Sequence, residues 1–323
     1  MRAVYCSGYG SPDVLSIRDQ AIPTPAPDEI LIRIGATVAA PADIAFRKGD
    51  PFIARFFTGI LAPKKIPGDA LSGTVTEVGS AVTKFKVGDE VFGSSGDSFG
   101  TNAEYLCLPE GSAIAKKPSC VSQAQAAAIS EGALTALPFL RDAGGIKPGA
   151  RVLINGAAGG VGVYAVQIAK IFRAEVTGVC GKKNRSFVRV LGADHVLCYD
   201  EQDFTKESQV YEIVFDAVGK SSYAKCRKII APNGRYLTTV PTGSILLHAF
   251  LTKATKKKAI FLATGLRKPD RKREDLTWMA EMINKGLLRP IVDREYSLNE
   301  IASAHRYVET GHKRGSVVIR CDS

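Results

Sequence analysis

The sequence predicts an α/β protein with two domains, one a β-rich barrel and the other a parallel sheet covered by helices. Three observations lead there. Residues 1–122 carry short β-branched runs punctuated by Gly, Pro and Asp, with few helical periodicities. From 123 onward strand-like and helix-like runs alternate, the order that builds a parallel sheet with right-handed crossovers. At 154–170, "INGAAGGVGVYAVQIAK", an apolar run passes into a glycine cluster and then into a helical pattern.

The elements follow in order. A Pro-rich approach, "IPTPAPDE", leads into the strand "EILIRIGATVA". "LSGTVTEVGSAV", "KVGDEVFG" with its Gly-Asp turn, and "TNAEYLCLP" continue the β pattern of an antiparallel barrel. "SQAQAAAISEGALTALPFL" is helical and "RVLIN" is the strand before the glycines. Val161, Ala165, Ile168 and Phe172 then line one helix face. Strand "EVTGVC", helix "NRSFVRVLGA", strands "HVLCYD" and "EIVFDAVG", a helix near "YAKCRKIIA" and strand "GRYLTTV" complete the alternation. The chain then returns to mixed structure. A helix over "DLTWMAEMINKG" is closed by Gly286, a second runs from a capping box at Ser297 and Glu300 to Gly311, and "GSVVIRC" is a last strand. Residues 1–122 and 285–323 are assigned to the barrel domain, and 123–284 to the sheet domain.

Composition narrows the class. The 323 residues are 45% hydrophobic and 23% charged, as in globular proteins. No apolar run reaches the roughly 18 residues of a membrane span. "MRAVYCSGYG" has no apolar signal core, so the expected location is cytoplasmic. The seven cysteines are scattered without a CxxC pair, which argues against a zinc ribbon and fits reduced thiols. The net charge of +11 is uneven: 253–273 holds nine Lys or Arg and one Asp. Such a segment fits a solvated face, a peripheral contact with anionic membrane, or nucleic acid.

A strand, a tight glycine turn and a helix make an anion site. The first helical N–H groups lack internal acceptors, and the helix dipole places positive charge beside them. Here the fingerprint Ala157-Ala158-Gly159-Gly160-Val161-Gly162 is GxGxxG with Ala in first place. Gly159 admits a pyrophosphate close to the backbone, and Gly162 admits close packing of helix on strand. A dinucleotide is therefore expected. An NAD site places Asp or Glu about 20 residues further on. "VCGKKNR" has none there, and Lys182, Lys183 and Arg185 can pair with a 2′-phosphate. The expected cofactor is NADP(H).

Rival chemistries fail on spacing. No Tyr is followed four residues later by Lys, which excludes the short-chain reductase pair. Gly96-Asp97-Ser98-Phe99-Gly100 is literally GxSxG, but it precedes a strand instead of joining strand to helix. His195, His248, His305 and His312 show no metal spacing.

"GALTAL", "INGAAGGVG", "FDAVG", "GDALSGTVTEVG", "KVGDEVFG" and "YSLNEIASAHRYVETGHKRGSVVI" together resemble the medium-chain dehydrogenase/reductase superfamily. The branch resembled is that of the zinc-free quinone oxidoreductases and enone reductases. The resemblance implies a GroES-like barrel, a Rossmann doubly wound sheet, an active site in the cleft and a homodimer joined through the Rossmann sheet edge. Zinc members carry a Cys near "VAAPAD" and a Gly-His-Glu. This chain has Ala40, Pro41 and Asp43 at the first place and Gly68-Asp69-Ala70 at the second. No metal is therefore expected. The branch's Asn-Pro-x-Asp becomes Ala40-Pro41-Ala42-Asp43, leaving Asp43 as the candidate acid, with a structural hydrogen bond as its alternative role. By the same resemblance Thr135 lies near the nicotinamide, and Gly159, Gly160 and Val161 offer N–H groups to the pyrophosphate. Tyr199 stands by the 2′-phosphate beside Gly181 and Lys182, and Val218 and Val240 wall the nicotinamide. "FRKGDPFIARFFTG" and "PTGSILLHAFL" would shape a hydrophobic acceptor pocket. The implied activity is hydride transfer from NADPH to a quinone or an α,β-unsaturated carbonyl. The alternative is a cofactor-binding, membrane-peripheral or nucleic-acid-associated protein with little turnover.

Overall fold

The strand Glu29–Ala39 organises the first half of the molecule. Its positions are buried almost without a break, because it has neighbours on both edges. Along one edge it pairs antiparallel with Ala70–Val78. Along the other it pairs with Tyr105–Pro109 near its start and with Ser316–Arg320 near its end. Register shifts at Leu31/Ile32 and Ile34/Ala36 bend it between these partners. The main path of the sheet runs Val292–Ser297, Ser316–Arg320, Glu29–Ala39, Ala70–Val78, Glu90–Ser94 and Ala113–Lys116. Ile30, Ile32, Ile34, Leu71, Leu108 and Val317 fill its interior without solvent contact. This is the GroES-like barrel that the resemblance implied.

The computed structural model describes residues 1–321, and its contacts divide the chain into two units. The barrel unit comprises Met1–Glu131, Gly265–Gly286 and the chain from Pro290; the other comprises Gly132–Thr264 and Leu287–Arg289. The sequence boundaries at 122/123 and 284/285 therefore differ from the packing. The helix Pro269–Asn284 lies with the barrel, against the strand Ala113–Lys116. There the Arg273 guanidinium reaches the carbonyl oxygens of Gly111 and Ser112. Charge, which drew 253–273 together in the sequence, does not decide packing.

The second unit is a six-stranded parallel sheet in the order His195–Cys198, Glu175–Cys180, Arg151–Asn155, Tyr211–Asp216, Ile230–Thr238 and Lys258–Phe261. Its strands are covered on both faces, which is why Val152, Leu153 and Ile154 form an unbroken apolar run. The helix Gly162–Ile171 is buried from Gly162 to Ala169, more widely than a single apolar face predicts. Lys258–Phe261, which the sequence reads only as part of a basic stretch, supplies the sixth strand. The strand order reverses between Arg151–Asn155 and Tyr211–Asp216, and ligands of open parallel sheets settle beyond the carboxyl ends at such a reversal.

Candidate functional site

The glycine turn lies at that reversal. The N–H groups of Gly156 and Ala157 both donate to the Val179 carbonyl, and the Gly159 N–H donates to the Gly156 carbonyl at 2.9 Å. The helix begins at Gly162, so the backbone N–H groups of its first turn point out of the carboxyl end of the sheet. Two glycines have different reasons to be there. A Cβ on Gly162 would stand 2.0 Å from the Gly156 oxygen, so the protein itself requires glycine. A Cβ on Gly159 would meet only that same oxygen, at an ordinary 3.4 Å. The space over Gly159 is open, as an approaching pyrophosphate requires.

The other residues expected around a dinucleotide emerge from the same edge of the sheet. Gly181 follows the strand Glu175–Cys180, and Tyr199 follows His195–Cys198. The Tyr199 hydroxyl stands 2.9 Å from where a Gly181 Cβ would be, so the phenol covers that glycine. Val218 packs over Gly156 and Val240 over Gly219, after the next two strands. Thr135 is half-buried in the helix Gln123–Pro138. One turn before it, a Cβ on Gly132 would strike the Gly160 carbonyl at 2.2 Å, so that helix is pressed against the glycine turn.

The cationic corner holds acids that the sequence did not foretell. Both carboxylate oxygens of Asp200 accept the Lys182 backbone N–H at 3.0 Å. Glu201 pairs with the Lys182 ammonium at 3.0 Å and with the Arg185 guanidinium. Those two cations hold the Glu201 carboxyl below its ordinary range. Lys183 is exposed beside them. The acids come from the third strand's end, some 20 residues away, so a search at the second strand's end misses them.

Asp216 was missed as well. Fully buried at the end of its strand, it accepts the N–H groups of Val218, Gly219, Lys220 and Ser221 at 3.3, 3.0, 3.4 and 2.7 Å. It also accepts the Asn155 amide and the Tyr236 hydroxyl, each at 3.0 Å. Burial and this carboxylate push the Tyr236 phenol up. Asp216 thereby fixes the loop that carries Val218.

In the barrel unit Asp43 has a structural task. It sits at the third position of the helix Pro41–Lys48 and accepts the Ala40 N–H at 2.8 Å, closing the first turn. Burial pushes its pKa up to about 7. It lines a small cavity with Phe46, Arg47, Phe99 and His305. Asp69 is occupied by the Ser94 hydroxyl at 2.6 Å and the Gly96 N–H at 2.8 Å. Ala40 and Ala70 offer no donor where zinc members place ligands, and no group of three potential ligands gathers among the described residues. The residues present do not fit a catalytic zinc. Ser98 lies in a 3-10 turn, Gly96–Ser98, and not at a strand-to-helix elbow.

His305 gives a testable pH dependence. It is 1% exposed, and neither ring nitrogen finds a partner within the protein. Burial, helped by the Arg47 charge, lowers its pKa to about 4. The unfolded chain takes up this proton near pH 6.5 and the folded chain does not until about 4, so stability falls as pH drops through that window, by up to about 3 kcal/mol. Asp43 acts oppositely, because its folded pKa of about 7 lies above the unfolded 3.8 and folding gains as pH falls between them. Urea midpoints of His305→Asn against the parent should therefore move in the variant's favour from pH 6.5 to 4. A constant difference would show that His305 does not titrate this way.

Comparison with known proteins decides the family. Residues 26–119 match the model described as "Alcohol dehydrogenase GroES-like domain", and 191–319 the one described as "Zinc-binding dehydrogenase". The chain is 31% identical to a chloroplastic quinone-oxidoreductase homolog of Spinacia oleracea, covering 99% of this chain and 98% of that one. The chain belongs to the quinone oxidoreductase branch of the medium-chain dehydrogenase/reductase superfamily. Within that branch it is also 30% identical to an NADPH-dependent alkenal/one oxidoreductase of Arabidopsis thaliana, over 99% of this chain and 79% of the relative. The quinone oxidoreductase structure from Coxiella burnetii superposes with a TM-score of 0.89 at 31% identity, covering 99% of both chains. The zinc in the family model's description is at odds with the residues of this member.

Proposed function

We propose that this protein is a zinc-independent oxidoreductase that binds NADPH and reduces a quinone or an α,β-unsaturated carbonyl. The observation carrying this reading is the meeting, at one edge of the parallel sheet, of the Gly159–Gly162 turn with Gly181, Lys182, Arg185 and Tyr199. The cofactor, when bound, supplies the hydride. The N–H groups of Gly160 and Val161 hold its pyrophosphate, while Gly159, whose own N–H goes to the Gly156 carbonyl, gives it room to approach, and Val218, Val240 and Thr135 bound its nicotinamide end. Lys182, Lys183 and Arg185, with the Tyr199 hydroxyl, take the 2′-phosphate. Asp43 holds the first turn of its helix, and the proton that completes reduction comes from solvent. The protein is a cytoplasmic homodimer whose basic segment 253–273 makes weak contact with anionic membrane. No helix among the described residues is long and apolar enough to cross one.

Nicotinamide fluorescence titration with NADPH and NADH tests this. The parent should prefer NADPH. Lys182→Ala with Lys183→Ala should lose roughly 10- to 100-fold in NADPH affinity and leave NADH unchanged, as removal of charge-assisted bonds to a phosphate implies. Glu201 competes with that phosphate for Lys182 and Arg185, so Glu201→Gln should tighten NADPH several-fold. Equal affinities of the parent for both nucleotides would refute the assignment.

A further inference from the structure

Two buried side chains of the barrel unit reach the small cavity beside Asp43 with polar groups to spare. Arg47 comes from the helix Pro41–Lys48 and is 3% exposed. His305 comes from the helix Ile301–Glu309, which packs against the first. Arg47 Nη2 pairs with the Glu309 carboxylate at 2.5 Å. Its Nε and Nη1 find no partner among the described residues, and neither do the ring nitrogens of His305. The other polar groups of the lining are engaged. The Cys6 thiol donates to the Gly8 carbonyl at 3.1 Å, the Thr58 and Tyr9 hydroxyls are 2.9 Å apart, and the Lys65 ammonium donates to the Asp97 carbonyl. Asp43 accepts the Ala40 N–H. Leu15, Phe46, Ile66 and Phe99 give the cavity apolar walls.

The groups left over are mostly donors. Nε of a guanidinium carries one N–H and Nη1 carries two, and a neutral imidazole adds one donor and one acceptor. An occupant that only accepts suits this set better than a water, which brings two hydrogens of its own. The charge agrees. Glu309 is shared between Arg47 and Lys48, at 2.5 and 2.8 Å, so two cations meet one carboxylate and a positive charge remains. A buried guanidinium that is only partly paired is costly. Asp43 is the acid facing the cavity, and burial raises its carboxyl, which reduces the negative charge that would repel an anion.

We infer that Arg47 and His305 form a binding site for one halide-sized anion inside the barrel unit, with chloride as its occupant. Arg47 Nε and Nη1 donate to the ion from one helix, and a ring N–H of His305 donates from the other. The small space and apolar walls suit a monatomic, weakly hydrated ion over sulfate or phosphate. Such an ion ties the two helices together, so its effect falls on the stability of the barrel and not on hydride transfer. The site is independent of the NADPH assignment.

The test is chloride NMR line broadening by the full chain in sodium chloride at about pH 6, where Asp43 is largely protonated, with and without saturating NADPH. Expected is a broadening that saturates, is displaced by bromide and survives NADPH. Urea midpoints should also be higher in sodium chloride than in sodium gluconate at equal ionic strength. Arg47→Met should abolish both effects, and His305→Leu should weaken halide binding at least roughly 10-fold. Glu309→Gln removes the carboxylate that competes for Arg47 and should tighten halide binding several-fold. That variant decides the matter even where Arg47→Met fails to fold, since a role in packing alone predicts no gain in affinity. Broadening abolished by NADPH would place the chloride at the 2′-phosphate corner and overturn the barrel site. Equal midpoints of the parent in chloride and gluconate, with no saturable broadening, would give the cavity to water. Halide binding unaltered in all three variants would likewise overturn the site.

Discussion

Gly162→Val is expected to abolish dinucleotide binding and to destabilise the second unit by roughly 3 kcal/mol, the upper end of overpacking costs. The added Cβ meets the Gly156 oxygen at 2.0 Å and the Ala157 Cα at 2.9 Å. Both are backbone atoms inside the turn, so no rotamer change relieves the contact, and the helix must lift from its strand. The first-turn N–H groups then lose their common direction. Urea unfolding and NADPH fluorescence titration read the two effects. Gly159→Ala is the control. Its Cβ is tolerated by the protein, so stability should hold within about 0.5 kcal/mol while affinity falls at least roughly 10-fold. A Gly159→Ala protein that binds NADPH like the parent would remove the pyrophosphate from that position.

Asp216→Ala is the other large effect, expected to cost about 4 kcal/mol or more. The carboxylate serves four loop N–H groups, the Asn155 amide and the Tyr236 hydroxyl, and no water-exposed group can replace it. Each bond to a charged group contributes about 1.5–3 kcal/mol, but bonds sharing one acceptor are not additive. What decides the size is the number of donors left buried without a partner. Tyr236→Phe removes one donor and should cost only about 1 kcal/mol. In the double variant the second change should cost almost nothing, since the Tyr236 hydroxyl has already lost its acceptor. Full additivity in the urea cycle would mean that the hydroxyl and the carboxylate act independently.

These residues also show which features of a sequence reveal structure. The Gly159–Gly162 turn was legible because its cause is local: strand, turn and helix are consecutive, and the glycines meet backbone a few positions away. The alternation of strands and helices was legible for the same reason, and it fixed the parallel sheet. Asp216 was not, since its partners at 155 and 236 arrive from two neighbouring strands and nothing in "FDAVG" announces them. Asp200 reaches Lys182 only because two parallel strands run side by side, so the acid appeared absent. The helix Pro269–Asn284 begins inside the basic stretch, yet it packs with the barrel, whose strand Ala113–Lys116 is far away along the chain.

The pairing of Ser316–Arg320 with Glu29–Ala39 has a consequence for biosynthesis. Val317 faces Ala39 across the sheet, and Arg320 faces Ala36, so the barrel's central strand waits for a partner made much later along the chain. The core of the nucleotide unit, by contrast, lies in the continuous stretch Gly132–Thr264. On the ribosome that stretch can fold while the barrel remains open, its strand edge bare until Ser316–Arg320 emerges. A nascent chain stalled short of Ser316 should therefore hold a folded nucleotide unit and an unfinished barrel, the form in which a chaperone has most to cover.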